Sequence, residues 1–158
     1  MVTKTELYAL DLSSFTTAIE SLDKQLRANR EKLDDIAHAK EILSSNMQGQ
    51  SAQAMIAKLD ALEQKITDHI ASIQQTQAAL TTYRTNKQQL QRNVIDYVNG
   101  VELDGFAVSN VWTIRPSDTM LAMLSPVYIG AKFIAAAIKQ QRLTALVETF
   151  DRYDLQAA

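Results

Sequence analysis

The chain has 158 residues, a net charge of −2, four glycines, two prolines and no cysteine. Its length is that of one domain, and so few turn formers cannot supply the reversals of an all-β sandwich. The missing cysteine excludes a disulfide scaffold and thiolate metal sites. A weakly acidic balance with only 6% aromatic residues excludes the basic, base-stacking surface that nucleic acid requires.

Residues Met1 to Ser14 hold one lysine and no apolar core segment, so no Sec-type signal peptide is expected. From about Asp11 to Asn46 the apolar residues Leu12, Phe15, Ile19, Leu22, Leu26, Leu33, Ile36 and Leu43 recur at three- and four-residue steps, with gaps at Asn29 and Lys40. That is a single stripe on an α-helix with near-heptad spacing. Asp11 or Ser13 is suited to cap its start. The residues Ser44-Ser45-Asn46-Met47-Gln48-Gly49-Gln50-Ser51 read as a short loop, with Ser51 or Ser45 as a candidate cap.

A second helix is predicted from Ser51 to Asn99. Its seam reads Met55, Leu59, Leu62, Ile66, His69, Ile73, Thr76, Leu80, Tyr83, Lys87, Leu90, Val94 and Tyr97, and Ile56 and Ile70 widen it. Asn99-Gly100 supplies a left-handed stop. A long helix with one narrow stripe needs a second stripe to cover it, and the short loop makes antiparallel pairing with the first helix the simplest solution. The first helix is the shorter of the two. A strip at Leu80, Tyr83, Leu90, Val94 and Tyr97 must therefore meet either the rest of this chain or another one.

Beyond Gly100 the pattern changes. Phe106-Ala107-Val108 and Val111-Trp112-Thr113-Ile114 flank the turn-prone Ser109-Asn110, the signature of a small hairpin or an ordered loop. Ser117 or Asp118 can cap the segment after Pro116, and Ser125-Pro126 marks a helix restart. The stretch Met120 to Ile138 carries one charge, Lys132. Its length approaches that of a membrane span, but Pro126, Gly130 and Lys132 point to a helix buried on two sides by the hairpin. Ile129, Phe133, Ala136, Leu143, Val147 and Phe150 carry a last stripe to about Asp154. The expected class is all-α: a long antiparallel hairpin over residues 1–100, then an irregular or small β segment and an apolar C-terminal helix over 101–158.

Catalysis and metal binding find little support. His38 lies among alanines on a charged helix, and His69 sits on the seam with Ile73 where a second ligand would stand. There is no nucleophile elbow, zinc helix or phosphate loop. The expectation is a non-enzymatic protein without cofactor or metal.

Met47-Gln48-Gly49 between two long amphipathic helices, followed by Ser51, Ala52 and Ala54, resembles the WXG helical-hairpin superfamily of type VII (ESX-like) secretion systems and its LXG relatives. Met47 takes the position of the family's Trp or Leu, and Gly49 that of its Gly. Phe150-Asp151-Arg152-Tyr153-Asp154 is similar to the aromatic-x-x-x-acid export signal of such substrates, with Phe150 and Asp154 on one helix face. Residues 101–149 extend beyond the minimal hairpin of that family. The resemblance implies a secretion partner or substrate that is cytoplasmic before export and leaves without a cleaved signal peptide. It would pair with a helical protein, either a copy of itself or an LXG-type effector, and would meet a secretion ATPase. A coiled-coil scaffold unrelated to secretion and a membrane-active helical protein are the alternatives.

Overall fold

The computed structural model describes residues 1–46 and 48–154. The protein is all-α with one two-stranded hairpin. Its elements are α1 (Lys4–Tyr8), α2 (Ser13–Asn46), α3 (Gln50–Leu103), β1 (Phe106–Val108), β2 (Ile114–Pro116), α4 (Asp118–Met123) and α5 (Pro126–Arg152). They pack as two units. One comprises Ser13–Thr81, and the other joins Met1–Leu12 to the chain from Thr82 onward. This division departs from the expected boundary at residue 100, because the first twelve residues and the C-terminal part of α3 from Thr82 share a core.

In the Ser13–Thr81 unit, α2 and the first part of α3 run antiparallel. The ladder of polar contacts fixes this: Lys40 Nζ reaches Asp60 Oδ1 at 2.8 Å and Glu63 Oε2 at 3.1 Å, and Gln77 Nε2 donates to Asp23 Oδ1 at 2.5 Å and to the Ile19 carbonyl at 3.3 Å. On α2 the buried and half-buried positions include Phe15, Ile19, Leu22, Leu26, Asn29, Leu33, Ile36, Lys40 and Leu43. The two apparent gaps in the stripe are thus polar members of it. Asn29 donates to the Gln25 carbonyl at 2.8 Å. The hydrogen bonds to Asp60 and Glu63 hold the Lys40 ammonium above the ordinary lysine range.

The facing seam of α3 is Ala52, Ile56, Leu59, Glu63, Ile66, Ile70, Ile73, Gln77 and Leu80, an unbroken alternation of four- and three-residue steps. This corrects the expected seam. Leu59, Ile66, Ile73 and Leu80 are common to both, but Met55, Leu62, His69 and Thr76 are exposed, and Ile56, Glu63, Ile70 and Gln77 take the alternate positions. Lys40 and Asp23 decide the register, since they supply the partners that let Glu63 and Gln77 sit there. Gly49 at φ +104° precedes α3 in the left-handed region. Met47 lies outside the described residues.

The other unit has the larger core, built from Leu7, Val94, Val98, Val101, Phe106, Trp112, Ile114, Ala136, Leu143, Val147 and Phe150. The helix does not stop at Asn99-Gly100. It runs on to Leu103, because Val101 continues the buried positions Val94 and Val98 and its burial outweighs the roughly 1 kcal/mol that a helical glycine costs. The stop is Gly105, at φ +94°, whose N–H returns to the Glu102 carbonyl at 3.1 Å. A Cβ on Gly105 would run into the Met120 methyl. Gly105→Ala should therefore cost about 1–2 kcal/mol from the left-handed backbone alone, read as a lowered urea midpoint.

Strand β1 pairs antiparallel with β2, with Phe106 opposite Pro116 and Val108 opposite Ile114. The second strand, expected at Val111–Ile114, begins three residues later at Ile114, because Trp112 turns back at φ +68°. Its ring is buried, its Nε1 donates to the Val2 carbonyl at 2.6 Å, and its own carbonyl accepts from Gln140 Nε2 at 2.6 Å. The hairpin loop also holds the short helix α1. Asn110 Oδ1 accepts from the Thr5 N–H at 2.8 Å, and the Asn110 carbonyl accepts from the Lys4 N–H at 2.9 Å. Ser117 caps α4 by accepting from the Met120 N–H, and Ser125-Pro126 opens α5 as the sequence predicts.

Candidate interaction surface

Two sequence-predicted sites meet in the core of the larger unit. Of the expected partner strip, Val94 is fully buried, and Leu90 and Tyr97 pack against the same core. Tyr97 also donates its hydroxyl to the Lys139 carbonyl at 3.3 Å. Tyr83 stacks on Tyr153, with ring centroids 5.7 Å apart, and burial above all holds its hydroxyl above the usual tyrosine range. Leu80 is half-buried in the Ser13–Thr81 unit. The strip from Tyr83 to Tyr97 is thus covered by this chain's own residues and offers no open seam to another chain. The chain brings α1 and α5 to it, with Gln91 Nε2 donating to the Leu7 and Leu10 carbonyls at 2.9 and 3.4 Å.

The tail pair is divided by the same packing. Phe150 is 3% exposed, whereas Asp154 is exposed. The two do not share a helix face, because α5 ends at Arg152 and Tyr153 adopts an extended backbone. Lys87 explains the position of the end. This buried lysine lies 3.8 Å from the centre of the Phe150 ring, and its Nζ donates to the Phe150 and Tyr153 carbonyls at 2.5 and 2.9 Å. A cation on the last carbonyls satisfies acceptors that the helix leaves open and complements its dipole. Burial pushes the ammonium below the ordinary lysine range, and Asp151 and Asp154 act against that shift. Lys87→Ala should destabilise this unit by about 2 kcal/mol, measured by denaturant unfolding, because charged hydrogen bonds to buried carbonyls are lost.

Nothing in this region converges for chemistry. Both histidines are exposed, which corrects the packed seam position expected of His69. Among the described residues no group of three or more histidine, aspartate or glutamate side chains is placed to hold a metal, and every buried side-chain nitrogen or oxygen has a partner.

The open apolar surface lies on α4 and the first half of α5. Met120–Ile138 is not buried on both sides: Met123, Val127, Tyr128, Phe133, Ile134 and Ile138 are all exposed, Val127 at 83% and Ile134 and Ile138 at 66% each. The core takes the opposite side of α5 through Ala136, Leu143 and Val147. Because 3.6 residues make a turn, Val127, Ala131, Ile134 and Ile138 align as a second stripe, flanked by Gly130 and Ala137. Sequence reasoning recognises the apolarity of this segment and misses that it faces outward. The signal is present: α5 holds two interleaved heptad stripes, and one core can take only one of them. Exposed apolar area of this kind marks contact surfaces. No helix among the described residues is long and apolar enough to cross a membrane.

A smaller apolar surface lies in the Ser13–Thr81 unit, where Ile42, Met55 and Leu62 rim an open groove of about 560 Å³ floored by Ala39, Leu43 and Leu59. Comparison with family models, curated proteins and solved structures returns no match.

Proposed function

We propose that the protein is a non-catalytic helical partner protein that works by laying the α5 stripe against a helix of another chain. The observation that carries this reading is the row Val127, Ala131, Ile134 and Ile138, outward-facing and without a charge of its own. Burying such a row is favourable in proportion to the apolar area withdrawn from water. The setting we favour is type VII-like secretion. Its support is the pair of long antiparallel helices and the left-handed Gly49 at their junction. The tail lends no support to an exposed aromatic signal, since Phe150 is a core residue. Under this proposal recognition by the export machinery rests on the assembled helical surface, with Asp154 as the exposed remnant of the tail motif.

The test is the mass of the purified chain, alone and mixed with the helical product of an adjacent gene. The reading predicts a complex larger than 17.6 kDa in at least one case, and its loss when Val127 and Ile138 are both replaced by glutamate. A chain that stays at its own mass in both cases overturns the reading. The secretion setting has a separate readout: inactivating the export ATPase should hold the protein inside the cell, and unchanged export would remove that setting.

A further inference from the structure

We propose that Met1–Leu10 is a strap that lifts from its unit in one piece while α3, the hairpin and α5 stay packed, and that the bed beneath it takes the same segment back from solution.

The strap enters the core at one point. Leu7 is fully buried, whereas Thr5, Glu6, Tyr8 and Ala9 around it are exposed. Val2 and Leu10 are half-buried against the same core. Every other member of the buried cluster comes from α3, the hairpin and α5. The hairpin and α5 are tied without the strap, since Gln140 accepts from the Ile114 N–H at 2.7 Å and donates to the Trp112 carbonyl at 2.6 Å. Helix α1 has five residues, too few to persist once it leaves the bed. Detachment and melting of the strap are therefore one event.

The bonds to the bed are of a kind that water can replace. Four side chains hold the strap's backbone. The Asp151 carboxylate accepts from the Val2 N–H at 3.1 and 3.2 Å, and the Trp112 indole donates to the Val2 carbonyl at 2.6 Å. Asn110 Oδ1 accepts from the Thr5 N–H at 2.8 Å, and Gln91 donates to the Leu7 carbonyl at 2.9 Å. The Lys4 N–H meets the Asn110 carbonyl, but the strap joins no strand ladder. Asp151 and Asn110 are exposed, and Lys4 pairs with Glu102 at the surface. Lifting the strap hands these groups to water at little cost. A segment with one buried anchor and marginal polar ties belongs to the low end of local stability.

The same ties define what the bed accepts. It has a socket for one leucine, donors for carbonyls at Trp112 and Gln91, and acceptors for N–H groups at Asn110 and Asp151. These groups read the backbone of a single short turn, and the sequence that fits them is the strap's own. On α3, Val94 and Val98 follow Gln91 by three and seven residues and so share its face. The strap is thus a removable cover on the α3 seam.

The experiment uses the intact chain. In the unaltered protein the Thr5 and Leu7 amides should exchange with solvent about a hundredfold faster than those of Val98 and Val147. Trp112 is the only tryptophan and bonds to the strap, so its fluorescence reports on the bed. Leu7→Asp should shift this emission to the red and open it several-fold to acrylamide quenching, with helical circular dichroism retained. A peptide of the Met1–Leu10 sequence should then restore the emission, and the same peptide carrying Leu7→Asp should not. Strap amides that exchange in step with the core overturn the proposal. So does a Leu7→Asp chain that loses its helices, one whose Trp112 emission is unchanged, or one that the Met1–Leu10 peptide leaves red-shifted.

Discussion

Phe150→Ala should destabilise the protein by about 3–5 kcal/mol, the range for removing a buried aromatic ring. The ring belongs to the core with Val147 and Leu143, and it lies under the Lys87 ammonium, so its loss leaves both a cavity and a buried cation without its aromatic face. The change should appear as a lower denaturant midpoint and a sharp loss of near-ultraviolet circular dichroism. Asp154→Ala is the contrasting variant. This exposed carboxylate should change stability by less than about 1 kcal/mol. The pair separates two explanations of a tail defect. An export loss confined to Phe150→Ala would report unfolding, and an export loss in Asp154→Ala with unchanged stability would report recognition.

Trp112→Ala should be as severe, again about 3–5 kcal/mol. The indole ring fills the core beside Ile114 and Leu7, its Nε1 holds the Val2 carbonyl, and the residue's backbone carbonyl receives Gln140 from α5. Removing the ring should also loosen the N-terminal segment, which loses the indole anchor at Val2 and keeps its bonds to Asn110, to the Val108 carbonyl through Lys4 and to Gln91. Hydrogen exchange should then rise at residues 2–10 beyond what the global loss explains. Trp112→Phe keeps most of the packing and loses the donor, and should cost about 1–3 kcal/mol. A Trp112→Phe variant as stable as the unaltered chain would mean that the indole hydrogen bond contributes nothing.

Much of the fold is legible in the residues. The α2 stripe, the antiparallel pairing, the hairpin around Ser109-Asn110 and the restart at Ser125-Pro126 all follow from periodicity and turn chemistry. The register of α3 does not follow. Met55 and Leu62 compete with Ile56 and Ile70 for the second position of each heptad, and hydrophobicity cannot choose between them. The choice falls to Glu63 and Gln77, which are acceptable in the seam only because α2 brings Lys40 and Asp23 opposite them. Such cross-helix pairs are invisible along one chain.

The candidate surface differs from the expected one for a related reason. Comparing helix lengths exposes the excess of α3 over α2 and leaves open which segment covers it. The answer is α1, the hairpin and α5, which share the burial of Leu90, Val94, Tyr97 and Val98. Once α5 spends its Ala136-Leu143-Val147 side on that core, its other stripe is left outside. Gly100 misleads for an energetic reason, since the burial of Val101 one residue later exceeds the helix cost of the glycine. The Phe150 motif misleads because an i, i+4 pair shares a face only while the helix lasts, and Lys87 ends it at Arg152.

The most direct test compares thiol alkylation of Val94→Cys and Ile138→Cys. The first side chain is fully enclosed by its own chain and the second is largely open. Val94→Cys should react about a thousandfold more slowly than an unprotected thiol, at a rate set by opening of the fold and independent of protein concentration. Ile138→Cys should react quickly while the stripe is open and slow when another chain covers it. Rapid alkylation at position 94 with lasting protection at position 138 of the dilute chain would contradict the account, placing the open seam on α3 after all.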